Sequence, residues 1–221
     1  MRNAVISFPK SGRTWLRLML DHLGISVDYT HAGADHRLKA RLSQLDTRES
    51  AAFERMIFLH RDPRDTVVSG YHQATKRLRQ PYIGPIGEFI RDDRHGIAKI
   101  VHFNSMWFSL ARRDSRICLV SYEDLRAEPG KWLSLISAHF DCPRSAASIQ
   151  AAIAENTFSK MQEREVSGAL FATYGDIFSP GAPADPDALK VRRGKISGYL
   201  DELSGEDISY CDAILARRSA D

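Results

Sequence analysis

The sequence of 221 residues holds only three cysteines, Cys118, Cys142 and Cys211. Three cannot all pair, and no two stand at the C-x-x-C spacing of a zinc or redox site. The chain therefore reads as carrying reduced thiols in a cytoplasmic compartment. No run approaches the ~18 apolar residues of a membrane span. No basic n-region leads into an apolar stretch, because Arg2 is followed by Asn3-Ala4-Val5-Ile6-Ser7-Phe8 and then Pro9-Lys10; no leader is expected. Charge of one sign is scarce too: 31 basic against 28 acidic residues leave +3, too little to argue for nucleic acid. Internal repeats, low-complexity tracts and metal-ligand spacings of His, Cys and Asp are absent, so no metal site is expected. Hydrophobic residues at 43% and charged ones at 27% exclude a fibrous or wholly disordered chain. Lysine is sparse beside arginine, 8 against 23. Arginine forks suit phosphate and sulfate, although genome base bias also enriches arginine.

What is present is an alternation of short β-rich runs with longer helical patterns. Strands are expected at Asn3–Phe8, Ser26–Thr30, Arg55–Arg61 and Arg116–Tyr122. Helices are expected at Thr14–Leu23, Asp65–Leu78, Gly96–Arg113, Lys131–Phe140, Arg144–Ala154 and Glu206–Arg217. This order implies βαβ units: one α/β domain over 1–221, with a central parallel sheet of about four or five strands flanked by helices. Segments 79–94 and 165–190 are rich in Gly and Pro and read as mobile lids.

Phe8-Pro9-Lys10-Ser11-Gly12-Arg13-Thr14-Trp15 falls where the first strand turns into the first helix. Ligands of open α/β sheets bind at the carboxyl ends of strands. A helix N-terminus offers unpaired N–H groups to an anion. Gly12 permits close approach, Ser11 and Thr14 add hydroxyls, and Lys10 adds a full charge. A nucleotide P-loop places its Lys after the second Gly, whereas Lys10 precedes Gly12. The segment resembles the 5′-phosphosulfate loop, P-K-S-G-T-T-W, of sulfotransferases that use 3′-phosphoadenosine 5′-phosphosulfate (PAPS).

Three further segments carry the same resemblance. Arg61-Asp62-Pro63-Arg64-Asp65 through Ser69 is similar to the family's R-[DN]-P-[RK]-D-x-x-x-S, in which Arg and Ser read the 3′-phosphate. From the residues alone, Arg64-Asp65 reads as a solvated pair. Ser121-Tyr122-Glu123-Asp124-Leu125 looks like Y-E-D-L, where the Tyr contacts adenine. Val191-Arg192-Arg193-Gly194-Lys195 resembles the late R-K-G loop that returns to the 3′-phosphate. Asn156 to Met161 corresponds loosely to a Phe and Met near adenine, with Phe158 and Met161 equally readable as core. Trp15 is expected to stack on adenine or to sit in the core under the first helix.

The resemblance implies a P-loop-like fold of nucleotide-kinase type. It implies transfer of a sulfuryl group from PAPS to an acceptor hydroxyl or amine without a metal, and the lack of an anchor or leader points to a soluble bacterial enzyme with a small-molecule or carbohydrate acceptor. Lys10 would stabilise the leaving group, and the N–H groups of Ser11 to Trp15 would hold the 5′-phosphate. His31, in Tyr29-Thr30-His31, takes the place of the family's K-T-H base. His72, His60, His102, Asp35 and Asp28 are alternatives. Arg13 replaces a Thr and can turn to the phosphosulfate or to the acceptor. Tyr82, Phe89, Phe171, Tyr174 and Phe178 can stack on an acceptor ring. Arg77, Arg79, Arg91 and Arg94 can meet an anion or form a solvated face. A non-catalytic nucleotide-binding module and a small-molecule kinase remain open beside these readings.

Overall fold

Four short strands, β1 (Asn3–Ile6), β2 (Asp28–Thr30), β3 (Arg55–His60) and β4 (Ile117–Ser121), form one parallel sheet in the order β2-β1-β3-β4. The computed structural model describes residues 2–34, 41–178 and 185–218. Ten helices are described: α1 (Arg13–His22), α2 (Pro63–Lys76), α3 (Ile86–Arg91), α4 (Ile97–Ala111), α5 (Tyr122–Ala127), α6 (Pro129–His139), α7 (Ala146–Glu155), α8 (Phe158–Val166), α9 (Ala169–Tyr174) and α10 (Gly205–Arg218).

The strands are apolar on both faces, as a covered parallel sheet requires. Ala4, Ile6, Met56 and Phe58 enter one core with residues of α2, α3, α4 and α10. Val5, Ile57, Leu59 and Val120 enter a second core with residues of α1, α6 and α7. This is the period of two along each strand. Phe58 stacks on Trp107 with centroids 5.9 Å apart, and each such fully buried side chain stabilises by about 1.5–3 kcal/mol. A third, smaller cluster of Leu18, Met161, Leu170, Phe178 and Val191 packs α8 and α9 beside α1.

From β1 the chain crosses to β2 on one side and then returns to β3 on the other. Such a reversal opens a crevice at the carboxyl ends of the strands. The turns that leave β1 and β3 both start there. At the second turn Asp62 caps α2 by accepting the Arg64 N–H at 2.8 Å, and Pro63 occupies the first helical turn.

The two segments expected as loose loops contain structure. Residues 79–94 include α3, because Phe89 and Ile90 are wholly buried despite their Gly and Pro neighbours. Residues 165–190 include α9 and two 3-10 turns; residues 179–184 of that segment lie outside the described residues. Helices this short form through tertiary packing, which local pattern does not report.

Candidate active site

One cleft of about 400 Å³ lies at the switch point and collects residues of all four sequence motifs. Its floor is the turn before α1. Lys10 there has φ 74° and Gly12 has φ 91°, two left-handed residues with Ser11 between them. A non-glycine residue held in that region costs on the order of 1–3 kcal/mol, and the rest of the fold must hold it there. The turn aims the start of α1 into the cleft. Among the described residues the N–H groups of Gly12 and Thr14 donate to no backbone carbonyl, as helix geometry requires of a first turn.

Two amides expected to face the cleft are spent elsewhere. Ser11 N–H donates to Phe8 O at 3.4 Å and Trp15 N–H to Gly12 O at 3.0 Å. Ser11 itself is 1% exposed and does not line the cleft. The left-handed turn at Lys10 carries its side chain inward, which the sequence pattern could not show.

Lys10 Nζ donates to Gln73 Oε1 at 3.4 Å. Burial lowers its ammonium to about 7, assisted by Lys190, Arg77 and Arg61 and opposed by Glu165. The shift is large because burial and three neighbouring cations act in the same direction.

Arg61, at the end of β3, is fixed on several sides. Its guanidinium lies 4.6 Å from the Tyr122 ring centroid and donates to Lys195 O at 2.9 Å. Its Nε is buried with no hydrogen-bond partner among the described residues, an orphan donor that an anionic ligand suits. Asp65 is not the solvated residue expected from sequence. It is 3% exposed, pairs with Arg61 at 3.4 Å, and accepts the Ser197 and Tyr199 N–H groups at 2.9 and 3.0 Å. Arg64 pairs instead with Asp62 and Asp212.

Tyr122 joins the first motif to the last. A Cβ on Gly12 would meet its ring at 2.3 Å, and its hydroxyl donates to Gly194 O at 3.2 Å. Gly194, at φ 60°, lies against Phe158, where a Cβ would come within 2.8 Å. Trp15 meets Tyr122 edge-on at 6.2 Å, donates to Asn156 O at 2.9 Å, and lies 5.5 Å beneath the Arg126 guanidinium. Trp15, Tyr122, Phe158 and Met161 all line the cleft, and Met161 belongs to the third core as well. Within the late loop the two arginines differ. Arg192 donates to Glu202 at 2.7 Å and is 13% exposed, whereas Arg193 is half exposed beside the cleft.

Residues 49–220 match the family model described as a sulfotransferase domain. The chain belongs to the sulfotransferase family. It is 27% identical to sulfotransferase 6B1 of Danio rerio over 162 residues, which are 72% of this chain and 50% of that relative. The match thus spans half of the relative's length. The fold is similar to that of mouse sulfotransferase SULT7A1 complexed with PAP: TM-score 0.70, 15% identity, 98% of this chain and 83% of the other. It is equally similar to retinol dehydratase in complex with androsterone and PAP: TM-score 0.72, 16% identity, 99% and 81%.

The cleft brings together Lys10, Gly12, Arg13, Thr14, Trp15, His31, Arg61, Ser69, Tyr122, Phe158, Arg192, Arg193 and Gly194, every candidate except Ser11. Among the alternative bases, His72 bonds Glu202 at 2.5 Å, and neither it, His60, His102 nor Asp28 lines the cleft; Asp35 lies outside the described residues. Hydrogen bonds from His72 and Arg192 outweigh burial and hold the Glu202 carboxyl down at about 2. The five aromatics expected at the acceptor are elsewhere: Phe89 and Phe178 are buried, and Tyr82, Phe171 and Tyr174 do not line the cleft. Gln73, Arg17, Asp176 and Lys190, unread from the sequence, do line it. Among the described residues no three His, Cys, Asp or Glu side chains converge as a metal set, and no helix is long and apolar enough to cross a membrane.

Proposed function

We propose that this chain transfers a sulfuryl group from PAPS to a hydroxyl or amine of a small-molecule or carbohydrate acceptor and releases PAP. The observation that carries this reading is the placement of Lys10. A partly buried cation at the open start of α1 shares one cleft with Arg61, Ser69, Arg193 and Gly194, and the Arg61 guanidinium reaches the Lys10 carbonyl at 3.5 Å. PAPS carries two anionic ends, and the same cleft offers Lys10 with the start of α1 and Arg61 with Arg193, beside the Trp15, Tyr122 and Phe158 rings.

The residues fit that ligand. Gly12 and Gly194 leave room where a Cβ would strike Tyr122 or Phe158. We assign Trp15, Tyr122 and Phe158 to the adenine, and Arg61, Ser69, Arg193 and the Gly194 turn to the 3′-phosphate. Arg192 acts through Glu202 and His72 to hold the loop. The start of α1, with Thr14, holds the 5′-phosphate. Like phosphoryl transfer, sulfuryl transfer needs mainly positioning and charge stabilisation. Lys10 meets negative charge that grows on the leaving oxygen, and His31 takes the acceptor's proton. The three thiols are free, which suits a reducing cytoplasmic compartment.

The test is a sulfation assay with PAPS across phenols, sterols, sugars and glycolipid head groups, beside thermal shifts with PAP, adenosine 5′-phosphate and ATP with magnesium. Label transfer and a selective PAP shift are expected. Equal shifts from PAP and adenosine 5′-phosphate would remove the 3′-phosphate assignment. A larger shift from ATP with magnesium would favour a kinase.

A further inference from the structure

Beyond the donor residues, the cleft keeps a second group of cations. Arg13 and Arg17 stand on one face of α1, four residues apart. Arg77 comes from the end of α2, and Lys190 comes from the late segment; all four line the cleft. Two carboxylates face them, Glu165 and Asp176. Glu165 is already used: it accepts the Lys190 and Val191 N–H groups at 2.6 and 2.9 Å and pairs with Arg77 at 3.3 Å. Among the described residues Arg17 makes no ion pair, and its guanidinium lies 4.0 Å from the Tyr29 ring centroid instead. Among the described residues Lys190 Nζ donates to Ile177 O at 2.7 Å and forms no ion pair, although the Glu165 carboxylate lies close enough to favour its charge. Leu78, Ile177, Gln73 and the His31 imidazole line the same cleft.

We propose that this wall is the acceptor subsite and that the acceptor carries an anionic group: a carboxylate, sulfate or phosphate on the molecule that presents the hydroxyl or amine. The inference rests on the sulfotransfer reading and adds the acceptor's chemical class. Lys10 stands between the two cation groups. It feels Arg61 on the donor side and Lys190 and Arg77 on the other. Arg61, Arg193 and the α1 terminus answer the two anionic ends of PAPS. Among the described residues Arg17 and Lys190 form no ion pair, and burial, then crowding by Arg77, Arg13 and Arg17, brings the Lys190 ammonium down to about 8 against the pull of Glu165. Cations held close together and away from water repel one another, and an anion brought among them relieves that repulsion. A neutral phenol or sterol would leave Arg17 and Lys190 covered and unpaired, an outcome that selects against such acceptors.

Matched pairs of phenols and sugars, with and without a carboxylate, sulfate or phosphate, are titrated into the PAP-saturated protein by calorimetry and then tried as acceptors with PAPS. The anionic member of each pair should bind at least ~10-fold tighter, with an advantage that shrinks as salt rises. Lys190→Gln and Arg17→Gln should each erase most of that advantage while PAP affinity stays within about two-fold. Rescue of the preference by Lys190→Arg would separate charge from mere packing. Equal affinity within the pairs, or an anionic preference that both substitutions leave intact, overturns the anionic assignment while transfer to neutral acceptors stands. A protein that binds no PAP overturns the sulfotransfer reading and this inference with it.

Discussion

Arg13 holds His31 by its Nε2 atom. The guanidinium nitrogen lies 2.7 Å from Nε2, and Nδ1 lies 2.7 Å from the Ser7 carbonyl oxygen. A carbonyl only accepts, so Nδ1 carries the proton and Nε2 offers its lone pair to Arg13. That lone pair is the one a general base would use. An acceptor hydroxyl must therefore displace the Arg13 contact before His31 can take its proton.

We predict that His31→Ala lowers turnover by ~10²–10⁴-fold with PAP affinity nearly unchanged. Arg13→Thr, which restores the hydroxyl residue of the family pattern, should leave His31 able to act and change turnover far less than His31→Ala. Imidazole nitrogen shifts in the NMR spectrum report the tautomer directly. Wild-type turnover in His31→Ala would remove it from the mechanism.

Lys10 gives a pH signature. Its ammonium loses its proton near about 7 in the folded protein, against ~10.4 in an unfolded chain. Between those values the unfolded state binds more protons, so this group makes stability rise with pH across the window. Lys10→Met should flatten that rise in thermal melts. An arriving polyanion favours the charged form, so PAP binding at about pH 8 should take up a proton. Calorimetry in buffers of contrasting ionisation heat measures this, and Lys10→Met should abolish it. An uptake that survives the substitution would place the titration elsewhere.

Lys10 and Arg61 should also part in kinetics. Interactions made only in the transition state raise turnover, whereas uniform ones lower the Michaelis constant. Lys10→Ala should cut turnover by ~10²-fold or more and leave PAP affinity within several-fold. Arg61→Ala should weaken PAP by roughly 1.5–3 kcal/mol with a smaller effect on turnover. Normal turnover of Lys10→Ala at saturating PAPS would sink the assignment.

Asp65→Asn breaks a buried pair and weakens two amide contacts to the late loop. We predict a loss of about 3–5 kcal/mol in denaturant unfolding, together with weaker PAP binding. Asp65→Glu separates the two effects if it keeps the charge and stability but shifts the loop. Unchanged PAP affinity in both variants would show that the loop finds its place without Asp65.

Much of this was legible because sheet and site share a local grammar. Apolar runs such as Met56-Ile57-Phe58-Leu59 mark covered strands, and Pro63 and Gly24 mark helix ends, so strand count and order of elements followed from pattern. The turn at Lys10–Thr14 was legible for the same reason. Asp65 was misread because a charged residue at a helix start is usually solvated, and its partners, the amides of Ser197 and Tyr199, lie far along the chain. The acceptor wall was hidden likewise. Arg17, Arg77 and Lys190 are ordinary surface residues until tertiary structure turns them toward one space.

Tyr122 and Asp65 together tie residues near the start of the chain to residues near its end, with Gly12 against the Tyr122 ring and Gly194 at its hydroxyl. The sheet needs only residues up to β4, and its contacts close over moderate loops. The donor site closes over almost the whole chain, which places it among the slow, late contacts of folding. A nascent chain would own all four strands before it owned this site, and it would acquire the site only once Tyr199 had left the ribosome.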